Sequence, residues 1–210
     1  FFFVPLRAMK VLYVFRSLAV WGGIERILVD KMNYLATRYG HDVTMLTADQ
    51  GNHAVPYRLE PAVRLQDLGI RLHQQYRYHG VRRLLVAWRL KRLYEQRLRR
   101  EICRLQPDVI VCVATSYADS VVRASSGVPL IVESHSTACR TLTGQGLWQH
   151  YQAWELRRSL RHAAVIVALT EGDADDWRHL YPNVQVIPNM VNLPSPLTHH
   201  PSPITHHPSP

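Results

Sequence analysis

The feature that most constrains the fold is a short apolar strand followed by a glycine pair and an amphipathic helix. Val11–Phe15 is an almost unbroken run of β-branched, aromatic and aliphatic residues, typical of a strand covered on both faces. After a polar bend come Gly22 and Gly23, and apolar residues then recur at spacings of three and four. Gly40 follows the last of them and predicts the end of the helix.

The glycine pair supports two interpretations. At a helix N-terminus, backbone N–H groups lack intrahelical partners and the helix dipole adds about half a positive charge, so an anion can bind there. Glycines also let a ligand approach the backbone closely. The simpler interpretation is a tight turn. The pattern is neither a Gly-x-Gly-x-x-Gly dinucleotide fingerprint nor a Gly-Lys-Ser/Thr phosphate loop.

Strand-like and helical segments alternate along the chain. This order predicts a single α/β domain with a doubly wound, mostly parallel, Rossmann-like sheet. After the first strand, the predicted strands are 42–47, 107–113, 129–133, 163–169 and 184–188, with a shorter candidate at 63–68. The predicted helices after the first are 77–105, 117–124, 147–162 and 173–180.

The chain is basic: 25 Lys and Arg against 16 Asp and Glu give a formal net charge of +9. This excess favours an anionic partner, and much of it lies in the predicted helix 77–105. The helix suits an anionic membrane surface, but a solvated outer face explains the charges equally well. Nucleic-acid binding is the rival from another class, and it is disfavoured because no aromatic stacking platform or recognition motif accompanies the arginines. The proposed membrane contacts are Arg82, Arg83, Arg89, Lys91 and Arg92.

The cysteines predict neither disulfides nor zinc. Cys103, Cys112 and Cys139 are odd in number and scattered, with Cys139 expected in a loop. A reducing cytoplasm is the simplest compartment, and the basic helix adds a peripheral position at the inner face of the plasma membrane. No run approaches the roughly 18 apolar residues of a membrane span.

The two ends of the chain differ in character from the rest. Met9 resembles a natural start, so residues 1–8 are interpreted as an upstream extension. Residues 194–210 repeat Ser-Pro-Leu/Ile-Thr-His-His-Pro and are predicted to be disordered. The paired histidines of the repeat could hold zinc or nickel weakly. The repeat itself could have arisen by slippage of repetitive DNA.

Polar residues follow several predicted strands at their carboxyl ends, where doubly wound folds bind ligands. Besides the glycine pair they are Ser134 and His135, and Thr170 and Glu171. Each has a purely structural interpretation: His135 as a strand-end histidine without a ligand, and Thr170 with Glu171 as an N-cap and first-turn acid. A lone Glu133 does not make an acid/base pair.

Three segments, in this order and spacing, resemble the family 4 glycosyltransferases of the two-domain GT-B fold. The resemblance covers about residues 9–193, which are taken as the Rossmann-like N-terminal domain. The segments are Met9–Leu12 with Gly22–Arg26, Glu133–Ser136, and Ala168–Glu171 with Val186–Asn189.

The resemblance implies transfer of a sugar from a nucleotide-sugar donor, with retained anomeric configuration and no metal. It implies that Gly22 and Gly23 approach the donor diphosphate or sugar, and that His135 is the catalytic-site residue that hydrogen-bonds a sugar hydroxyl. Glu25 and Arg26 would touch acceptor or phosphate, although a first-turn Glu is also an ordinary helix-dipole partner. The remaining substrate-binding candidates are Ser134, Thr170, Glu171 and Asn189.

The sequence departs from the family pattern in two ways. The family usually continues Pro-Asn-Gly-hydrophobic-Asp at its hinge, whereas Pro188-Asn189 is followed here by Met190-Val191-Asn192. The second domain of the fold, which supplies the nucleotide pocket, is not in the sequence. The expectation is therefore an acceptor-side half of an enzyme of cell-surface glycan synthesis, acting on a lipid-linked or polysaccharide acceptor and very weak alone. The alternative is a non-catalytic Rossmann-type binding module.

Overall fold

A computed structural model of the chain describes residues 7–115, 117–142 and 147–189. The predicted doubly wound α/β architecture is confirmed for this part of the chain. The strands are β1 Lys10–Phe15, β2 Asp42–Thr47, β3 Val63–Asp67, β4 Val109–Val113, β5 Leu130–Glu133, β6 Val165–Ala168 and β7 Val184–Val186. The helices are α1 Gly23–Arg38, α2 Gly80–Leu105, α3 Ala118–Ala124, α4 Ala138–Leu142, α5 Leu147–Leu160 and α6 Glu171–Arg178, with a 3-10 helix at Leu72–Arg77.

All seven strands are parallel and form one sheet in the order β3-β2-β1-β4-β5-β6-β7. In the described residues the sheet has seven strands, which are the six predicted strands and the shorter candidate at 63–68, now β3. The two edge strands are short, and Arg64, Gln66 and Asp67 weaken the apolar signal of β3. The strand order reverses between β1 and β4, and ligands bind at such a switch point, beyond the carboxyl ends of the strands.

Burial explains why β1 lies at the centre of the sheet. Five of its six residues are buried, because helices cover both faces. On one face, Tyr13 packs with Leu28 and Met32 of α1. On the other face, Leu12 packs with Tyr94 and other residues of the apolar stripe predicted for α2.

The predicted helix 77–105 begins later in the structure. The 3-10 helix Leu72–Arg77 precedes it, Tyr78 and His79 are extended, and α2 starts at Gly80 with a φ of +53°. A φ in this left-handed region suits glycine, which has no Cβ to clash. The predicted start was therefore wrong by three residues, whereas the end at Leu105, before Pro107, is confirmed.

The predicted end of α1 is also confirmed. Gly40 adopts a φ of +66° directly after the C-cap residue Tyr39, and His41 N donates to Leu35 O at 3.2 Å. The loop expected around Cys139 is wrong, because this residue lies in the short helix α4. The hypotheses about residues 1–6, the hinge after Asn189 and the repeat tail concern residues outside the described ranges.

Candidate functional site

The N-terminus of α1 lies beyond the carboxyl end of the central strand β1. Gly22 is its N-cap residue, and Gly22 O accepts hydrogen bonds from Arg26 N at 3.1 Å and from the Tyr57 hydroxyl at 2.9 Å. A Cβ built on Gly23 would meet no atom within 4 Å, so the space beside the first-turn amides is open. These amides lack intrahelical acceptors and can bind an anion.

Glu25 lies against this helix end. A Cβ built on Gly22 would come within 1.9 Å of Glu25 Oε2, which places the carboxylate beside the Gly22 backbone. There it offsets the positive end of the helix dipole, so a phosphate at this position would have to displace it. Arg26 extends along the helix instead, with Nε 3.8 Å from Asp30 Oδ2.

His135 belongs to a buried charged cluster at the end of β5. Glu133 Oε1 accepts a hydrogen bond from Lys31 Nζ at 2.9 Å, and Glu133 Oε2 lies 3.2 Å from His135 Nε2. The side chains of Lys31, Glu133 and His135 are 11%, 8% and 4% exposed. Lys31 is a residue of α1, so this cluster ties the glycine-led helix to the strand end that carries His135.

Glu133 is the charged centre of this cluster and orients the ring of His135. Burial by itself would raise the pKa of Glu133, but the hydrogen bond to His135 and the charge of Lys31 outweigh it and hold that pKa below its ordinary value. Glu133 is therefore a carboxylate at neutral pH whose two oxygens are already engaged. It orients the imidazole, and when Nε2 carries the hydrogen that Glu133 accepts, Nδ1 remains as the acceptor of the ring.

The glycine pair and His135 share one edge and one face of the sheet. β4 is the only strand between β1 and β5, so the two strand ends lie about 10 Å apart. Glu133 pairs in register with Val113, a residue of the α1-facing core. Ser134 is buried and bonded within the fold, since its hydroxyl donates to Ser136 O at 2.6 Å.

The candidate site residues after β6 are part of an ordinary helix cap, and the candidate after β7 has a buried amide oxygen. Thr170 is the N-cap of α6 and accepts from Asp173 N at 3.2 Å, while Glu171 is exposed and pairs with Arg178 at 2.9 Å. Asn189 Oδ1 is buried and has no hydrogen-bond partner among the described residues. Of these residues, Asn189 alone presents an unsatisfied polar atom.

Sequence reasoning missed a second group at the same edge. Arg16 directly follows β1, and its Nε lies 3.5 Å from Oδ2 of Asp49, a residue after β2 whose side chain is 5% exposed. Asp49 Oδ1 also accepts from Leu72 N at 2.6 Å, so this carboxylate joins the segments after three strands. The signal was available, because both residues follow predicted strands and the strand-end rule applied to every strand would have included them.

A large groove opens between the 3-10 helix, α2, α3 and α5, with a volume of about 740 Å³. We call it the α2–α5 groove; Tyr76, Leu84, Trp88, Tyr117 and Tyr151 line it above a set of charged residues. Lys91 belongs to that set, because its Nζ lies 2.6 Å from both Asp119 Oδ2 and Glu155 Oε2. Lys91 is therefore engaged in two ion pairs, with its side chain 28% exposed, and its proposed contact with a membrane surface stays a prediction.

The described residues contain no group of three or more His, Cys, Asp or Glu that could hold a metal ion. No helix in the described ranges is long and apolar enough to cross a bilayer.

Comparison with known proteins shows the family to which the chain belongs. The sequence model of Glycosyltransferase Family 4 matches residues 21–194. The chain belongs to this glycosyltransferase family, as the sequence resemblance predicted. No curated protein sequence is similar enough to match.

Solved structures show the same fold at low sequence identity. The sucrose-phosphate synthase of Thermosynechococcus elongatus matches with a TM-score of 0.62 and 12% identity over 85% of this chain and 48% of its own. The lipopolysaccharide outer core galactosyltransferase WaaB matches with a TM-score of 0.59 and 12% identity, over 87% of this chain and 46% of its own. UGT2 of Phytolacca americana, solved with UDP-2fluoro-glucose and pterostilbene, matches with a TM-score of 0.59 and 15% identity, over 86% of this chain and 54% of its own. The chain thus spans about half the length of these GT-B glycosyltransferases.

Proposed function

We propose that this chain forms the acceptor-side half of a retaining, metal-independent glycosyltransferase that uses a nucleotide-sugar donor. The observation that carries the proposal is the Lys31–Glu133–His135 cluster, because it ties the glycine-led helix α1 to His135 at one edge of the sheet. Family membership supports the reaction class. The structure of UGT2 in complex with UDP-2fluoro-glucose supports the kind of donor.

In this proposal the first-turn amides of α1 face the donor diphosphate. Gly23 leaves room for the ligand, and Glu25 moves aside when the phosphate binds at the positive helix end. His135 presents Nδ1 to a hydroxyl of the transferring sugar, with Glu133 holding its other ring nitrogen. The leaving nucleotide needs further cationic partners from a second domain, so the chain by itself turns over sugar nucleotide very slowly.

The acceptor in the proposal is a lipid-linked or polysaccharide glycan of the cell surface. The similarity to WaaB, a lipopolysaccharide galactosyltransferase, supports that setting. The first half of α2 supports a peripheral position on an anionic leaflet, because it carries four exposed arginines. These arginines are Arg82, Arg83, Arg89 and Arg92, of which Arg83 and Arg92 also line the α2–α5 groove.

Nucleotide-sugar titration followed by NMR tests the donor proposal on this chain. UDP-, GDP- and ADP-sugars at millimolar concentration should shift the amide signals of Gly22 and Gly23 together with the ring signals of His135. His135→Gln should weaken the effect of the matching sugar nucleotide more than that of the free nucleotide. His179→Gln, a change at the exposed C-cap residue of α6, is the matched control. Absence of shifts at this edge with every sugar nucleotide would refute the proposal.

A further inference from the structure

We propose that the α2–α5 groove binds a neutral glycan, which is the acceptor chain of the transfer reaction. The inference deepens the proposed function and rests on it. The groove holds about 740 Å³, within the range of roughly 300–1,000 Å³ typical of ligand sites. It opens at the carboxyl edge of the sheet, since Leu72 and Tyr117, which line it, lie on the segments that follow β3 and β4.

The walls of the groove present aromatic rings. Trp88 is 56% exposed and Tyr76 is also exposed, with the guanidinium groups of Arg92 and Arg83 over the two rings at 5.2 and 4.8 Å. These cation–π contacts hold the rings in fixed orientations. The C–H face of a pyranose ring carries partial positive charge and stacks on the negative face of an aromatic ring.

The floor of the groove is a network of paired charges. Arg123 bonds Glu95 at 2.6 Å, Asp119 at 2.7 Å and Glu155 at 2.8 Å, and Lys91 bridges the last two. The network joins α2, α3 and α5, so its donors and acceptors are rigidly placed. Burial by itself would raise the pKa of Asp119, but Lys91 and Arg123 outweigh it and keep that pKa below its ordinary value, so the network stays charged.

The composition of the lining selects the occupant. Four cations are nearly balanced by three carboxylates, so the groove has little net field for an anionic ligand. An acyl chain would cover paired charges without bonding to them, which costs free energy. A neutral polyhydroxylated ligand can donate to the carboxylates and accept from the cations, and hydrogen bonds to charged groups are the strong ones. The cations are Arg83, Lys91, Arg92 and Arg123, and the carboxylates are Glu95, Asp119 and Glu155.

A glycan array probed with the fluorescently labelled chain tests the proposal. The array carries neutral and acidic glycans, and vesicles of neutral phosphatidylcholine serve as the acyl probe. We expect binding to neutral glycans, weakened about tenfold by Trp88→Ala. Tyr34→Ala is the control, because Tyr34 is an exposed aromatic residue of α1 that does not line the groove. Its binding should equal that of the unchanged chain.

Three results would overturn the proposal: binding to no neutral glycan, preferential binding to acidic glycans or to the vesicles, or equal loss in the Trp88 and Tyr34 variants. The nucleotide-sugar titration separates this failure from failure of the proposed function. Shifts at Gly22 and Gly23 without glycan binding reject the groove alone. Glycan binding that depends on Trp88, without any response to sugar nucleotides, rejects the donor proposal alone.

Discussion

At the scale of single residues, the buried cluster of Lys31, Glu133 and His135 links stability to the site. Glu133 and His135 could be selected from the sequence, because they end a predicted strand. Lys31 could not, since it lies 102 positions from Glu133 and no local pattern marks the contact. For the same reason the role of Glu133, which alone does not make an acid/base pair, becomes clear only from its contacts with Lys31 and His135.

Removing Lys31 should destabilise the fold strongly. Lys31→Met leaves the Glu133 carboxylate buried beside only a histidine, and breaking a buried pair in this way costs about 3 kcal/mol. Urea denaturation at neutral pH measures the loss. Adding Glu133→Gln removes the orphaned charge and should restore much of the stability. Lys10→Met, at an exposed lysine, should change it by less than about 0.5 kcal/mol. Equal stability of the two single lysine variants would contradict the account.

The stability of the chain should also depend on Glu133 at acid pH. Because the folded-state pKa of Glu133 lies below its ordinary 4.5, the group stabilises the fold at pH values above about 4.5. That contribution is lost as the pH falls through the lowered folded-state pKa. Between about pH 6 and pH 3, the free energy of unfolding should therefore fall more steeply for the unchanged chain than for Glu133→Gln, as measured by denaturation at each pH. Parallel pH profiles would show that Glu133 has no lowered pKa.

At the scale of the elements, propensity and periodicity were sufficient where neighbours in sequence decide the structure. β2 and the C-terminal ends of α1 and α2 could be predicted from the pattern of apolar residues and from the Gly and Pro signals. The extended residues before α2 could not be predicted, because Tyr78 and His79 have no turn signature and Gly80 alone marks the change of direction. The α2–α5 groove could not be predicted, since four separate segments supply its lining.

The α1 N-terminus allows function to be separated from stability. Gly23→Ala introduces a Cβ into open space and replaces glycine by a better helix former, so the chain should be at least as stable as before. The methyl group occupies the approach to the first-turn amides, and nucleotide-sugar binding should weaken. Thermal denaturation and NMR titration measure the two effects. Gly172→Ala is the matched control, because Gly172 lies in the first turn of α6 and also has open space around its Cβ position. Unchanged donor binding in Gly23→Ala would remove this helix end from the site.

At the scale of the whole molecule, the family and the fold were predictable because the order of motifs constrains topology more than any one motif. The net charge of +9 left the partner open. In the structure Lys91 is paired with Asp119 and Glu155, Arg83 and Arg92 line the same groove, and Arg82 and Arg89 lie outside it.

Vesicle flotation tests the membrane proposal. The chain should bind vesicles with anionic lipids and not neutral ones, because a basic residue near an anionic surface contributes about 1 kcal/mol. Arg82→Glu combined with Arg89→Glu should weaken binding about 30-fold or more. The control is Arg99→Glu combined with Arg100→Glu, the same charge change on the second half of α2. Equal loss in both double variants would assign the binding to net charge, and equal binding to neutral vesicles would reject an electrostatic contact.

The most direct test is a crystal structure of the chain with the sugar nucleotide that gives the largest shifts in titration. The account predicts the diphosphate beside Gly22 and within hydrogen-bonding distance of the backbone N–H of Gly23, with Glu25 displaced; the N–H of Gly22 donates to Val20 O at 3.0 Å. It also predicts a sugar hydroxyl donating to Nδ1 of His135. A nucleotide sugar bound at the amino edge of the sheet, or bound at the carboxyl edge without contact to His135, would contradict it.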